Sequence, residues 1–79
     1  MKPEFIIFLK KIYDLTGGEL RIINQYQVGE ALALSSKETD KITDQLIDSG
    51  LIKKMARNRI IIRPHTLNVM HSTENSEKN

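Results

Sequence analysis

At 79 residues the chain is one domain, near the lower end of the size at which a single hydrophobic core is sufficient, and it has no cysteine. That removes a disulfide framework and a thiolate zinc site as reinforcements, leaving packing and association with a second copy. The formal net charge of +2 is too small to mark the whole chain as a nucleic-acid binder, yet its distribution is uneven: residues 1–50 carry −2, residues 51–71 carry +5 with no acid, and residues 72–79 carry −1.

Pro3 suits a first helical turn, and apolar residues at 5, 6, 8, 9, 12 and 13 cover one side of a helix that ends at Gly17-Gly18, so the spacing predicts a first helix over about 3–16. Its longest apolar run, Phe5-Ile6-Ile7-Phe8-Leu9, is far shorter than the roughly 20 residues needed to cross a bilayer, and no small-residue cleavage site follows. The expectation is a core helix in a cytoplasmic protein without membrane contact. Ile7 falls on the opposite side, among Lys10, Lys11 and Asp14, as an isolated exposed apolar residue or part of a dimer contact.

Arg21-Ile22-Ile23 is a β-type segment too short to stand alone, and its expected partner is a later hairpin. Asn24 offers an N-cap oxygen with Gln27 at the capping-box position, opening a second helix over about 25–33. Ser35 with Glu38 forms another capping box and opens a third helix, about 36–49. Along it Thr39, Ile42, Thr43, Leu46 and Ile47 share one arc, while Lys37, Asp40, Lys41, Asp44 and Asp48 share the other. Gly50 stands where a helix end wants a positive φ.

Residues 51–55 and 59–63 alternate as strands around Ala56-Arg57-Asn58, a hairpin in which Asn58 suits the left-handed position. Pro64 ends the second strand, residues 65–70 form a short closing helix, and the polar segment 72–79 is expected to be disordered. The folded domain is thus 1–71.

Two short helices meeting at a tight corner, then Leu46-Ile47-Asp48-Ser49-Gly50-Leu51-Ile52 leading into a basic hairpin, resemble the winged helix-turn-helix DNA-binding domains of small prokaryotic transcription regulators. The similarity spans residues 4–63. Val28, Gly29 and Leu32 match the first helix of the pair, Thr39 and Ile42 the second, and the corner Ala33-Leu34-Ser35 has alanine where the pattern has glycine. The resemblance implies an α+β, mostly α, fold: a three-helix core with a β-hairpin wing. It also implies a transcriptional regulator that reads double-stranded DNA as a homodimer.

In that reading helix 3 enters the major groove, with Ser36, Lys37, Asp40 and Lys41 meeting bases or phosphates, and the wing (53–63) brings Lys54, Arg57, Asn58 and Arg59 to the backbone or minor groove. An alternative account of the same residues is solubility. Lys37 with Asp40 and Lys41 with Asp44 are ordinary i,i+3 pairs, and Lys53, Lys54 and Arg63 are the cations that keep an edge strand from pairing. Carboxylates at 40, 44 and 48 would repel a phosphate backbone, which favours a second reading, a winged-helix protein-interaction module without DNA binding.

Tyr26 and Gln27 offer a phosphate contact at the start of helix 2, against half-buried packing as the plainer role for Tyr26. His65 and His71 are six apart, not at zinc spacing, and read as surface or linker histidines. Neither a catalytic triad nor a phosphate loop stands out, so no enzyme activity, metal or cofactor is expected.

Overall fold

A computed structural model describes the backbone of residues 1–77 and the side chains of residues 1–72. The elements follow in the order α1 (Pro3–Thr16), β1 (Ile23–Asn24), α2 (Gln25–Ala31), α3 (Ser36–Asp48), β2 (Ile52–Ala56), β3 (Arg59–Ile62) and α4 (Pro64–Glu77). The fold is α+β and mostly helical, with four helices and a three-stranded antiparallel sheet ordered β1-β3-β2. This architecture is compatible with a winged helix. Among the described residues no helix is long and apolar enough to cross a membrane.

Pro3 opens α1, whose missing N–H costs nothing in a first turn, and the helix buries Phe5, Phe8, Leu9, Ile12 and Thr16. That arc is narrower than the spacing predicts. Ile6, expected to face the core, is 42% exposed, and Ile7 on the far side is 54% exposed.

Three helices terminate in one motif, in which a left-handed residue turns the chain and two N–H groups reach back to otherwise orphaned carbonyls. Gly17 (φ 68°) does this for α1, with Gly18 N–H donating to Tyr13 O at 2.9 Å. Gly50 (φ 74°) does it for α3, with Leu51 N–H donating to Leu46 O at 3.0 Å. For α2 the left-handed residue is Ala33 (φ 59°), with Leu34 N–H donating to Gly29 O at 2.9 Å and Ala33 N–H to Glu30 O at 3.0 Å. This turn ends α2 at Ala31, two residues short of the predicted 33.

The predicted capping box of α3 is present in full: Glu38 N–H donates to Ser35 Oγ at 3.1 Å and Ser35 N–H to Glu38 Oε1 at 3.0 Å. Helices α2 and α3 touch at Gly29, where a Cβ would collide with Thr39 Oγ1 and lie 3.0 Å from Thr39 Cβ. Thr39 is buried and donates its hydroxyl to Ser35 O at 2.8 Å, so it cannot withdraw cheaply. Glycine at 29 is therefore a requirement of the corner.

Ile23 pairs with Ile60 and Ile52 with Ile62, and all four side chains enter the core formed by α1, Val28, Ile42 and Leu46. Of the predicted 21–23 segment only Ile23 pairs, joined by Asn24 beyond it, and Arg21 and Ile22 remain outside the ladder. The hairpin closes on Arg57-Asn58, with Asn58 at φ 63° and a bulge between Lys54 and Ala56.

Helix α4 departs from expectation. It starts at Pro64 but continues through the segment predicted to be disordered, to Glu77, whereas a closing helix over 65–70 was expected. No proline or glycine interrupts residues 65–77, and buried Leu67 with half-buried Met70 fixes the first turns to the core, after which each added residue gains a hydrogen bond without a new nucleus. Lys78 and Asn79 of the predicted tail lie outside the described residues.

His71, read from sequence as a surface or linker histidine, is exposed and also bridges α4 to the end of α1. Its Nε2 lies 3.1 Å from Gly18 O, which can only accept, so Nε2 carries a proton. Nδ1 lies 3.1 Å from the Tyr13 hydroxyl, and the two rings meet edge to face at 5.3 Å. The extension of α4 past Met70 is what carries His71 over the end of α1.

Candidate nucleic-acid interface

The residues predicted to meet DNA belong to α3 and to the β2–β3 hairpin, and one residue joins the two. Gln25 is buried at the start of α2; its main-chain N–H donates to Asn58 O at the hairpin tip, 2.8 Å, and its Nε2 donates to Asp40 Oδ1 on α3, 2.9 Å. The hairpin tip and the middle of α3 are thus held on either side of the first turn of α2.

Asp40 is predicted to reach a base, and the structure gives its carboxylate another occupation. Tyr26 donates its hydroxyl to the same Oδ1 at 2.6 Å, so two donors from α2 hold Asp40 in a half-buried position. The hydrogen bond to Asp40 pushes the Tyr26 hydroxyl above its ordinary pKa of 10.0, followed by partial burial and the negative charge of Asp40, while Gln25 and the positive charge of Arg57 pull it back.

Tyr26 is half-buried, with its hydroxyl engaged by Asp40. Asn24 caps α2 by accepting from Tyr26 N–H at 2.8 Å, while Gln27, placed by sequence at the capping-box position, makes no return bond and stays exposed. Asn24 is itself a strand residue opposite Arg59.

Ser36, Lys37 and Lys41 are exposed on the outer face of α3, as are Asp44 and Asp48. Among the described residues neither Lys37 nor Lys41 has an ion-pair partner, so the i,i+3 pairing with Asp40 and Asp44 is not formed. Two ammonium groups on this face are thus unneutralised.

On the hairpin, Lys54, Arg57 and Arg59 are exposed and Asn58 is half-buried. Lys53 and Lys54 stand on β2, an edge strand, where they also discourage pairing with another sheet. The tip arginines do not share one site. Arg59 lines a cleft of about 320 Å³ with Arg21, Asn24 and Gln27, and Arg57 is not among its lining residues.

Sequence reasoning missed Gln25, Arg21 and His71. Gln25 follows a cap residue and carries no charge, and only its burial at the joint between three elements marks it. Arg21 forms an exposed ion pair with Glu19 at 3.1 Å, and only the fold brings it beside Arg59, 38 positions along the chain. Among the described residues no group of three or more His, Asp or Glu side chains is placed to hold a metal ion. No protein-family model, curated protein or solved structure matches the chain.

Proposed function

We propose that the protein is a winged-helix transcriptional regulator that binds duplex DNA, with the exposed face of α3 in the major groove and the hairpin as a wing on the backbone or minor groove. The observation that carries this reading is the double attachment of Gln25, which fastens the hairpin tip and α3 to one turn of α2. It ties the hairpin that carries Arg57 and Asn58 to the helix that carries the exposed Lys37 and Lys41, and a helix held together with a cationic hairpin is what this mode of duplex recognition calls for.

In this reading Ser36, Lys37 and Lys41 make the helix contacts, and Lys54, Arg57, Asn58 and Arg59 make the wing contacts. Asp40 becomes a positioning residue that holds Tyr26 and Gln25. This removes one carboxylate from the objection that α3 is too acidic, and leaves Asp44 and Asp48. The role is binding rather than catalysis, and a regulator of this kind works beside the chromosome in the cytoplasm as a homodimer.

Fluorescence anisotropy with mixed-sequence duplex tests it, over roughly 50 to 300 mM salt. Binding should weaken steeply as salt rises, and Arg57→Ala with Arg59→Ala should flatten the log–log slope by about two, one for each phosphate no longer met. Absent or salt-insensitive binding would overturn the DNA reading. It would favour the second reading, a protein-interaction module, for which exposed Asp44 and Asp48 are the specific support.

A further inference from the structure

Away from the hairpin, α1 and α4 border an open groove of about 620 Å³. Its floor is Leu9 and Leu51, and its walls are Ile6 and Tyr13 from α1 and Val69 and Met70 from α4. Ile6 is 42% and Val69 63% exposed, so the groove has an apolar rim as well as an apolar floor. Contiguous apolar surface of this kind on a small domain marks a place where something docks.

The charges beside the groove indicate what fits. Lys10 and Asp14 both line it, one helical turn apart on α1, with opposite signs. A two-fold axis passing between them runs α1 antiparallel to its own copy, and then each Lys10 faces the Asp14 of the second copy. An isologous contact needs this self-complementarity, and one positive and one negative charge at matched spacing supply it without any foreign residue. Among the described residues the only ion pair these two residues make is the Lys11–Asp14 contact, at 4.0 Å and with Asp14 67% exposed, which leaves the carboxylate open to a second cation.

We propose that the α1–α4 groove is the self-association surface of this protein, covered by a second copy, with Ile6 and Val69 of each copy in the contact and Lys10 and Asp14 exchanging ion pairs across the axis. The dimer does not rest on DNA binding, because none of the α3 or hairpin residues takes part.

Sedimentation equilibrium of the full chain without DNA, between about 1 and about 300 μM, tests the proposal. The expected mass at high concentration is twice the 9.1 kDa of the chain. Ile6→Glu and Val69→Glu, each at an exposed position, should keep their helical circular dichroism and sediment as monomers. Lys10→Asp and Asp14→Lys should each weaken the dimer on the order of tenfold, since each places like charges together twice. An equimolar mixture of those two single variants should recover the dimer, because in the mixed pair both contacts are again of opposite sign. A wild-type chain that stays monomeric, a dimer indifferent to Ile6→Glu and Val69→Glu, or a mixture no tighter than its components would each overturn the proposal.

Discussion

Ala33 sits at φ 59° in the position that Gly17 and Gly50 fill at the ends of α1 and α3. A Cβ in the left-handed region costs roughly 1–2 kcal/mol, and the extra unfolded-state freedom of glycine cancels part of what its removal would gain. Ala33→Gly should therefore raise stability by about 0.5–1 kcal/mol, or about 2–8 °C in Tm for a domain of this size, and calorimetry showing no increase would contradict it. Glu38 supplies a titratable counterpart. The Ser35 N–H, and then the Ser35 hydroxyl, hold its carboxyl below the ordinary 4.5, so folding favours the charged form. Its contribution is complete above pH 4.5 and is lost as pH falls through the lower folded value. Glu38→Gln keeps an acceptor for the Ser35 N–H but does not titrate, so the Tm advantage of the wild type over this variant should shrink as pH is lowered from about 6 to about 3. A constant difference would mean that the box contributes no pH dependence.

Between elements, the Gln25–Tyr26–Asp40 clasp ties α2 to α3, while the main chain of Gln25 ties α2 to the hairpin. Asp40→Ala leaves the buried Gln25 amide without an acceptor, at a cost of about 1–3 kcal/mol. Hydrogen exchange should quicken in α2 and α3 more than in α1, and an unchanged melting curve would remove Asp40 from its positioning role. The contrast with the sequence reading lies in range. The Ser35–Glu38 box, Gly50 and the Asn58 turn are set by residues within a few positions of one another, and all were legible. The partners of Asp40 are 14 and 15 residues away, so its spacing along α3 showed only a polar face and not which member of that face was already engaged. The same holds for His71, whose acceptor at Gly18 is 53 residues distant. His71→Ala should cost about 1 kcal/mol and release the α4 amides near it to faster exchange, with α3 unaffected.

At the scale of the whole molecule the cationic hairpin and the apolar groove belong to different surfaces, and their consequences combine when two copies act together. Five candidate cations, Lys37, Lys41, Lys54, Arg57 and Arg59, limit the salt dependence of one copy on duplex DNA to a log–log slope of about −4.5. Two copies on one duplex should approach twice that slope, and the Ile6→Glu variant should fall back to the single value. Equal slopes would separate association from DNA binding. The hairpin tip carries a consequence of its own. Its hold on α2 runs from the amide of residue 25 to the carbonyl of residue 58, atoms that every residue except proline shares on the donor side. Substitution at 57 or 59 therefore leaves the attachment in place, so whatever target preference those two positions confer can drift or be re-engineered while the scaffold beneath them keeps its shape.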